Sequence, residues 1–234
     1  MKYEARDKRQ GGMDLICIER YMEKLVSTLL AAFGNDLLYV GLQGSYLRGE
    51  ATEDSDIDAM VILETADLPA LARYREVIES LGDSDKACGF LCGREDMAHW
   101  NTLEIPHLLH ATKDYYGRLA DFVPPCTDED LRQFVRLSLG NLLHELTHRF
   151  IHRPAERSYA ALADMHRPVF FILQNLLYWR DGIYPESRAA LTGLLTGEDK
   201  AVWEMLCREK NGDGNPTADL QLLHNWCRNT LRLL

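Results

Sequence analysis

Residues 39–64 read YVGLQGSYLRGEATEDSDIDAMVILE and contain two apolar runs joined by a glycine–serine turn and a polar spacer. Apolar runs of this length, bounded by turn residues, are typical of buried strands. They predict a first strand over 37–42 and a second over 57–63. Between them, Gly44 allows the backbone to turn sharply and to approach a ligand closely, and Ser45 adds a hydroxyl group. The stretch therefore predicts a strand, a ligand-binding turn and a second strand.

Two aspartates stand at the start of the second predicted strand. Side chains two residues apart point to the same face of a strand, so Asp56 and Asp58 are expected to project together while Ile57 points into the core. Two neighbouring carboxylates raise each other's pKa unless a positive charge lies between them. Mg²⁺ suits this need, because proteins hold it by one or two carboxylates together with substrate phosphates. The backbone N–H groups of the glycine–serine turn are suited to bind those phosphates.

The motif resembles the active-site signature of the polymerase-β-type nucleotidyltransferase superfamily. The resemblance lies in Gly44-Ser45, then Arg48-Gly49, then Ser55-Asp56-Ile57-Asp58. Within the superfamily, the chain is most similar to small bacterial enzymes with a helical C-terminal domain, such as aminoglycoside and lincosamide nucleotidyltransferases. The resemblance implies transfer of a nucleoside monophosphate, AMP in the first instance, from ATP to a hydroxyl group of an acceptor.

The resemblance also implies roles for individual residues. Asp56 and Asp58 would bind two Mg²⁺ ions, and a third carboxylate on a following strand would complete the metal site. Glu104 is predicted for that third position, because Leu103-Glu104-Ile105 alternates as a strand does, and Asp114 is the alternative. The predicted contacts to the nucleoside triphosphate come from Gly44, Ser45, Arg48 and Ser55.

Two domains are predicted, and the fold class is α+β. A small mixed sheet flanked by helices would occupy 1–123 as the catalytic domain, and an all-helical bundle would occupy 126–234. Pro124 and Pro125 mark the boundary, because two consecutive prolines break a helix and stiffen a connection. The predicted helices cover 15–33 (with Asp14 as N-cap), 67–81, 128–152, 158–181, 185–195, 198–210 and 217–233, and a third strand is predicted over 88–92.

Composition limits the partners and the compartment. The net charge of −10 argues against an extended nucleic-acid interface and is compatible with a cationic small-molecule acceptor. No apolar run approaches the length of a membrane span, and the charged N-terminus lacks a signal-peptide core. The six scattered cysteines predict reduced, buried thiols in a cytoplasmic protein. A homodimer is compatible with the sequence.

A second motif lies in the helical half. His144-Glu145-Leu146-Thr147-His148 matches H-E-x-x-H, in which two histidines on one helix face bind zinc and the glutamate acts as a base. Ile151 and Pro154 occupy the positions where the longer zinc-protease motif has glycine and histidine, which argues against a zinc hydrolase. The interpretations favoured instead are a polar helix face or a substrate-facing role, with Glu145 as acceptor contact or general base. Two further alternatives for the whole chain are a nucleotidyltransferase-type antitoxin and a nucleotide-sensing protein.

Overall fold

A computed structural model describes residues 15–154, 162–210 and 216–234. The chain divides into two compact units. The first contains the described residues up to Arg94 together with Lys113–Gly117, and the second contains Glu95–Thr112 and the described residues from Arg118 onward. The predicted α+β class is confirmed, since strands and helices alternate in the first unit and the second is helical.

A four-stranded mixed sheet forms the centre of the first unit. The strands are β1 (Leu37–Leu42), β2 (Ile57–Leu63), β3 (Ala87–Gly93) and β4 (Lys113–Tyr116). Their order is β3-β2-β1-β4, with β1 antiparallel to both β2 and β4, and β2 parallel to β3. The bounds of β1 and β2 agree with the predicted strands, because buried apolar runs flanked by turn residues leave little freedom in where a strand ends.

Helices α1 (Ile18–Phe33) and α3 (Leu68–Leu81) cover one face of this sheet. Apolar residues of α1 recur at helical spacing and pack with alternate residues of β1 and β2. Asp67 caps α3 by accepting a hydrogen bond from the Ala70 N–H group at 2.9 Å. The core residues on this face include Met22, Leu25, Leu29, Val40, Leu42, Ile57, Ala59, Val61 and Val77.

The second unit is built from helices around a separate apolar core. Its helices are α4 (Arg94–Ala98, whose first residue belongs to the first unit), α5 (Ile105–His110), α6 (Asp128–His152), α7 (His166–Asp181), α8 (Arg188–Leu194), α9 (Gly197–Lys210) and α10 (Pro216–Leu233). Leu139, Phe170, Leu173, Trp203 and Trp226 are almost completely buried in this core. Such burial contributes about 1.5–3 kcal/mol per large apolar side chain.

Helix α6 has the predicted bounds because its start is encoded locally. The Thr127 hydroxyl accepts from the Asp130 N–H group at 3.2 Å, and the Asp130 carboxylate accepts from the Thr127 N–H group at 2.8 Å, which is a capping box. The sequence predicts one apolar stripe along α6, formed by Leu131, Val135, Leu139, Leu142, Leu146 and Phe150. The stripe is buried from Leu131 to Leu146, but Phe150 is 63% exposed, so the buried part ends one turn earlier than predicted.

The segment before the prolines differs from the prediction. Residues 103–105 form no strand: Glu104 is the residue before α5, and Pro106 lies in its first turn, where a missing N–H group costs nothing. The strand lies instead at β4, beyond that helix. Residues 95–112 accordingly group with the helical unit, whereas the prediction assigned them to the catalytic domain. The predicted N-cap Asp14 and the stretch 158–161 of a predicted helix lie outside the described residues.

The six cysteines are all free thiols. Cys92 and Cys227 are buried as predicted, but Cys17 and Cys88 are exposed, so the prediction of buried thiols was wrong for those two. Burial raises the pKa of the Cys227 thiol to about 12. Among the described residues, no helix has both the length and the apolar character needed to span a membrane.

A buried carboxylate ties three helices of the second unit together. Asp199, at the start of α9, accepts hydrogen bonds from the Trp226 indole at 2.7 Å and from Arg180 at 3.0 Å. We expect Asp199→Asn to lower the free energy of unfolding by about 1–3 kcal/mol, because its amide donor would face the Arg180 donor in a buried position. The measurement is urea unfolding.

The matched control is Asp181→Asn. Asp181 also pairs with Arg180, at 3.1 Å, but its side chain is 40% exposed. An exposed pair of this kind contributes at most about 1 kcal/mol. Equal destabilisation by the two variants would contradict a structural role for the buried carboxylate.

Candidate active site

Gly44 brings the turn after β1 into contact with the second aspartate of the motif. Its φ angle is +73°, a conformation that side chains other than glycine rarely adopt. A Cβ atom built on Gly44 would lie 1.8 Å from Oδ2 and 2.7 Å from Cγ of Asp58. The Gln43 N–H group also donates to the Asp58 carbonyl oxygen at 2.8 Å. The turn and the carboxylate therefore form one closely packed structure that only glycine permits at this position.

The strand register places a further aspartate on the same face of the sheet as Asp58. Asp114 on β4 is paired with Gly41 on β1, and Gly41 is paired with Met60 on β2. Directly paired residues point to the same face, and so do residues two apart along one strand. Asp58, two residues before Met60, therefore shares a sheet face with Asp114. This face is opposite to the one covered by α1 and α3.

The three aspartates are accessible to a ligand. Asp56 immediately precedes β2 and is exposed, Asp58 is half-buried, and Asp114 is exposed on the edge strand. Within 15–154, 162–210 and 216–234, no group of three or more His, Cys, Asp or Glu side chains is arranged as a metal centre. Mg²⁺ is usually held by one or two carboxylates together with oxygens of a triphosphate, and a site of that kind does not need three protein ligands for one ion.

The other predicted nucleotide contacts lie around the turn. Ser45 is in the short helix α2 (Gly44–Leu47), whose first N–H groups have no acceptor within the helix. Arg48 pairs with Glu50 at 3.0 Å, and both side chains are largely buried. The Ser55 hydroxyl accepts from the Thr52 N–H group at 2.8 Å and so closes the loop before Asp56.

Sequence reasoning missed a contact between β1 and β4. The Tyr39 hydroxyl donates to Oδ1 of Asp114 at 2.6 Å, and Tyr39 is completely buried. Burial, together with the hydrogen bond to Asp114, raises the pKa of Tyr39, so the hydroxyl remains protonated. The pairing of β4 with β1 would have predicted this contact, but the sequence signal for β4 is only four residues long.

The two predicted glutamates belong to the helical unit. Glu104 accepts a hydrogen bond from the Trp100 indole at 2.8 Å. Glu145 forms an ion pair with Arg149 at 2.7 Å and, with His148 and Arg153, lines a cleft of about 350 Å³. In contrast, the alternative third carboxylate, Asp114, lies in the same sheet as Asp58.

The histidines of the H-E-x-x-H motif lie along an exposed face of α6, as predicted for a polar face. Ring centroids of His144 and His148 are 6.1 Å apart, and those of His148 and His152 are 4.9 Å apart. A catalytic zinc site takes three protein ligands, and the described residues contain no group of three at these positions.

The nucleotidyltransferase-domain family matches residues 22–86, which include most of α1, the Gly44 turn and both motif aspartates. This segment is a nucleotidyltransferase domain. The predicted superfamily is thereby confirmed. The match ends before β3 and β4, so it covers β1, β2 and the turn between them but not the strand that carries Asp114.

Two curated relatives match within a short segment. Protein adenylyltransferase MntA of Thermococcus cleftensis is 48% identical over 42 residues, which are 18% of this chain and 40% of that protein. MJ1379 of Methanocaldococcus jannaschii, provisionally named a protein adenylyltransferase, is 50% identical over 42 residues, which are 18% of this chain and 42% of that protein. The chain thus spans less than half the length of these relatives.

A solved structure matches over most of the chain. It is the crystal structure of spectinomycin adenyltransferase AAD(9) from Enterococcus faecialis with ATP and spectinomycin. The TM-score is 0.56 at 15% sequence identity, and the match covers 92% of this chain and 99% of that one. At this identity the match establishes a shared fold, in which the nucleotidyltransferase domain is followed by helices.

Proposed function

We propose that the chain is an adenylyltransferase that moves AMP from ATP to a hydroxyl group of an acceptor. The observation that carries the proposal is the contact of Gly44 with Asp58, in which a turn suited to phosphate lies against a carboxylate suited to a cation. The nucleotidyltransferase-domain match over 22–86 supports the same activity. The curated relatives, both named for adenylyl transfer, favour ATP as the donor.

Asp56, Asp58 and Asp114 are the residues that would hold two Mg²⁺ ions. Bound there, magnesium would stabilise the negative charge on the entering and leaving oxygens of an in-line displacement at the α-phosphorus. Asp114 replaces Glu104 as the proposed third carboxylate, because it shares a sheet face with Asp58. Glu145, predicted as a general base, and Glu104 are the candidates for the group that accepts the proton of the attacking hydroxyl.

The turn residues would bind the triphosphate. The N–H groups of Gly44 and Ser45 have no acceptor within α2, and the Ser45 hydroxyl adds a third donor. When nucleotide binds, Arg48 would leave Glu50, its ion-pair partner in the structure, and contact phosphate. Ser55, predicted as a nucleotide contact, would act by holding the loop that presents Asp56.

The acceptor proposed first is a cationic, hydroxyl-bearing small molecule. The net charge of −10 favours a positively charged acceptor, and the shared fold includes an enzyme solved with spectinomycin. The second candidate is a hydroxyl-bearing side chain of a protein, and the names of the two curated relatives favour it. Both acceptors would use the same Gly44–Asp58 site.

The test is incubation of the purified chain with ATP, Mg²⁺ and separate pools of aminocyclitols, lincosamides, metabolite extract and cell proteins. Mass spectrometry would follow the appearance of an added AMP. We expect an AMP adduct on one hydroxyl-bearing acceptor together with release of pyrophosphate. An adduct on a protein pool, with none on the small molecules, would select the second candidate.

The matched negative control is Asp58→Asn. If the wild-type chain binds nucleotide but forms no adduct and releases no pyrophosphate with any of the pools, it is not a transferase, and the nucleotide-sensing alternative is favoured. Adducts formed equally by Asp58→Asn would contradict the proposed site.

A further inference from the structure

Tyr39 links the central strand of the sheet to the edge strand that carries Asp114. Its ring is completely buried on β1, and its hydroxyl donates to Oδ1 of Asp114 at 2.6 Å. Tyr39 is two residues from Gly41, the partner of Asp114 in the strand register, so its ring shares the sheet face of Asp58 and Asp114. The donor to the proposed third carboxylate is therefore a buried side chain on the same face of the sheet as the site.

Strand β4 alone holds Asp114 weakly. It has four residues and lies at the edge of the sheet, and its pairing with β1 shifts register between Val40 and Gly41. Asp114 itself is exposed, so packing does little to restrict its rotamer. A hydrogen bond from a rigid, buried donor restricts the rotation of the carboxylate, and such partners orient the groups that ligate metals.

We infer that Tyr39 is a positioning residue: its buried hydroxyl fixes the Asp114 carboxylate in the orientation that binds the divalent cation accompanying the nucleotide. The inference rests on the proposed function, since it assigns Asp114 to the metal site. Tyr39 contacts neither nucleotide nor acceptor in this scheme, and it acts only through Asp114. A buried hydroxyl that merely satisfied its own hydrogen bond would affect stability and leave the affinity for the cation unchanged.

The same strand offers a matched control on its other face. The Tyr115 hydroxyl donates to Oε2 of Glu19 at 2.8 Å, which is also a tyrosine–carboxylate hydrogen bond. Tyr115 follows Asp114 directly, so it points to the face covered by α1. Tyr115→Phe removes a hydroxyl of the same kind from the same strand and leaves the Asp114 side of the sheet intact.

The experiment measures Mn²⁺ binding by electron paramagnetic resonance in the presence of a non-hydrolysable ATP analogue. Wild type, Tyr39→Phe, Tyr115→Phe and Asp58→Asn are compared, and thermal unfolding establishes that each is folded. We expect Tyr39→Phe to raise the Kd of Mn²⁺ about 10–100-fold, as loss of a ligand-orienting partner does, and to raise the half-activating Mg²⁺ concentration in parallel. Tyr115→Phe is expected to bind Mn²⁺ as the wild type does.

The outcomes separate the inference from the proposed function. If the wild type binds Mn²⁺, Asp58→Asn loses it and Tyr39→Phe binds it as the wild type does, the positioning role is wrong and the nucleotide site stands. Equal weakening by Tyr39→Phe and Tyr115→Phe would also overturn the role, because a general disturbance of β4 would explain both. If Asp58→Asn retains wild-type Mn²⁺ binding, the proposed site itself fails and the role of Tyr39 fails with it.

Discussion

Asp58→Asn is expected to lower kcat/KM for AMP transfer by at least about a thousandfold. The amide keeps the shape of the side chain but removes the charge that would hold the cation. A metal ion lowers the free energy of the charged transition state by several kcal/mol, and each 1.36 kcal/mol changes the rate about tenfold. Asp56→Asn, which replaces the other aspartate of the motif, is also expected to lower kcat/KM. Folding should survive in both variants, because Asp56 is exposed and Asp58 is only half-buried. The measurement is pyrophosphate release at saturating ATP.

Asp54→Asn is the control for both substitutions. Asp54 is exposed in the same loop, two residues before Asp56, and has no role in the proposed site. Its variant should retain wild-type turnover. Near-normal turnover by Asp58→Asn would show that this carboxylate is not required, and the assignment of the motif would then be wrong.

Gly44→Ala is expected to lower the rate of transfer by roughly a hundredfold, a loss that its decrease in stability does not explain. The new Cβ would lie 1.8 Å from Oδ2, 2.7 Å from Cγ and 3.0 Å from Cβ of Asp58, so rotation of the carboxylate end alone does not make room. Either the turn or the whole Asp58 side chain must move. A displacement of about 1 Å in a catalytic group costs roughly a hundredfold in rate. Steady-state kinetics and urea unfolding on the same preparation would separate activity from stability.

Gly82→Ala is the matched control, because Gly82 has a φ angle of +79° and no atom lies within 4 Å of the position that a Cβ atom would take there. Both variants should lose about 1–3 kcal/mol from placing a side chain on a backbone of positive φ. Only Gly44→Ala should lose transfer. If the two variants are equally active, the contact between the turn and Asp58 has no part in the chemistry.

Local sequence signals predicted β1, β2 and α6 with their bounds. The first two are buried apolar runs between turn residues, and α6 begins at a capping box formed by Thr127 and Asp130. The two aspartates and Gly44 were also predicted, because their spacing along the chain encodes the strand–turn–strand arrangement. These features depend on interactions between residues close in sequence.

The third carboxylate shows what local signals did not provide. Leu103-Glu104-Ile105 alternates like a strand, yet it leads into α5, and the helix continues through Pro106 because proline is tolerated in a first turn. The strand that carries Asp114 is stabilised by its pairing with β1, which lies far earlier in the chain. Neither the short sequence of β4 nor the hydrogen bond from Tyr39 has a local pattern that would reveal it.

The exposed end of α6 illustrates the same limit. The helical spacing of apolar residues from Leu131 extends to Phe150, but the burial of a helix face depends on what packs against it, and Phe150 remains exposed. The grouping of residues 95–112 with the helical unit likewise follows from tertiary contacts and not from the two prolines at 124–125.

The most direct test of the central claim is a crystal structure with Mn²⁺ and a non-hydrolysable ATP analogue, read by anomalous scattering. We expect manganese bound by a carboxylate oxygen of Asp58, at about the 2.1 Å typical of small divalent cations, with the triphosphate on the N–H groups of Gly44 and Ser45. Manganese and nucleotide bound away from β2 and the Gly44 turn would contradict the claim.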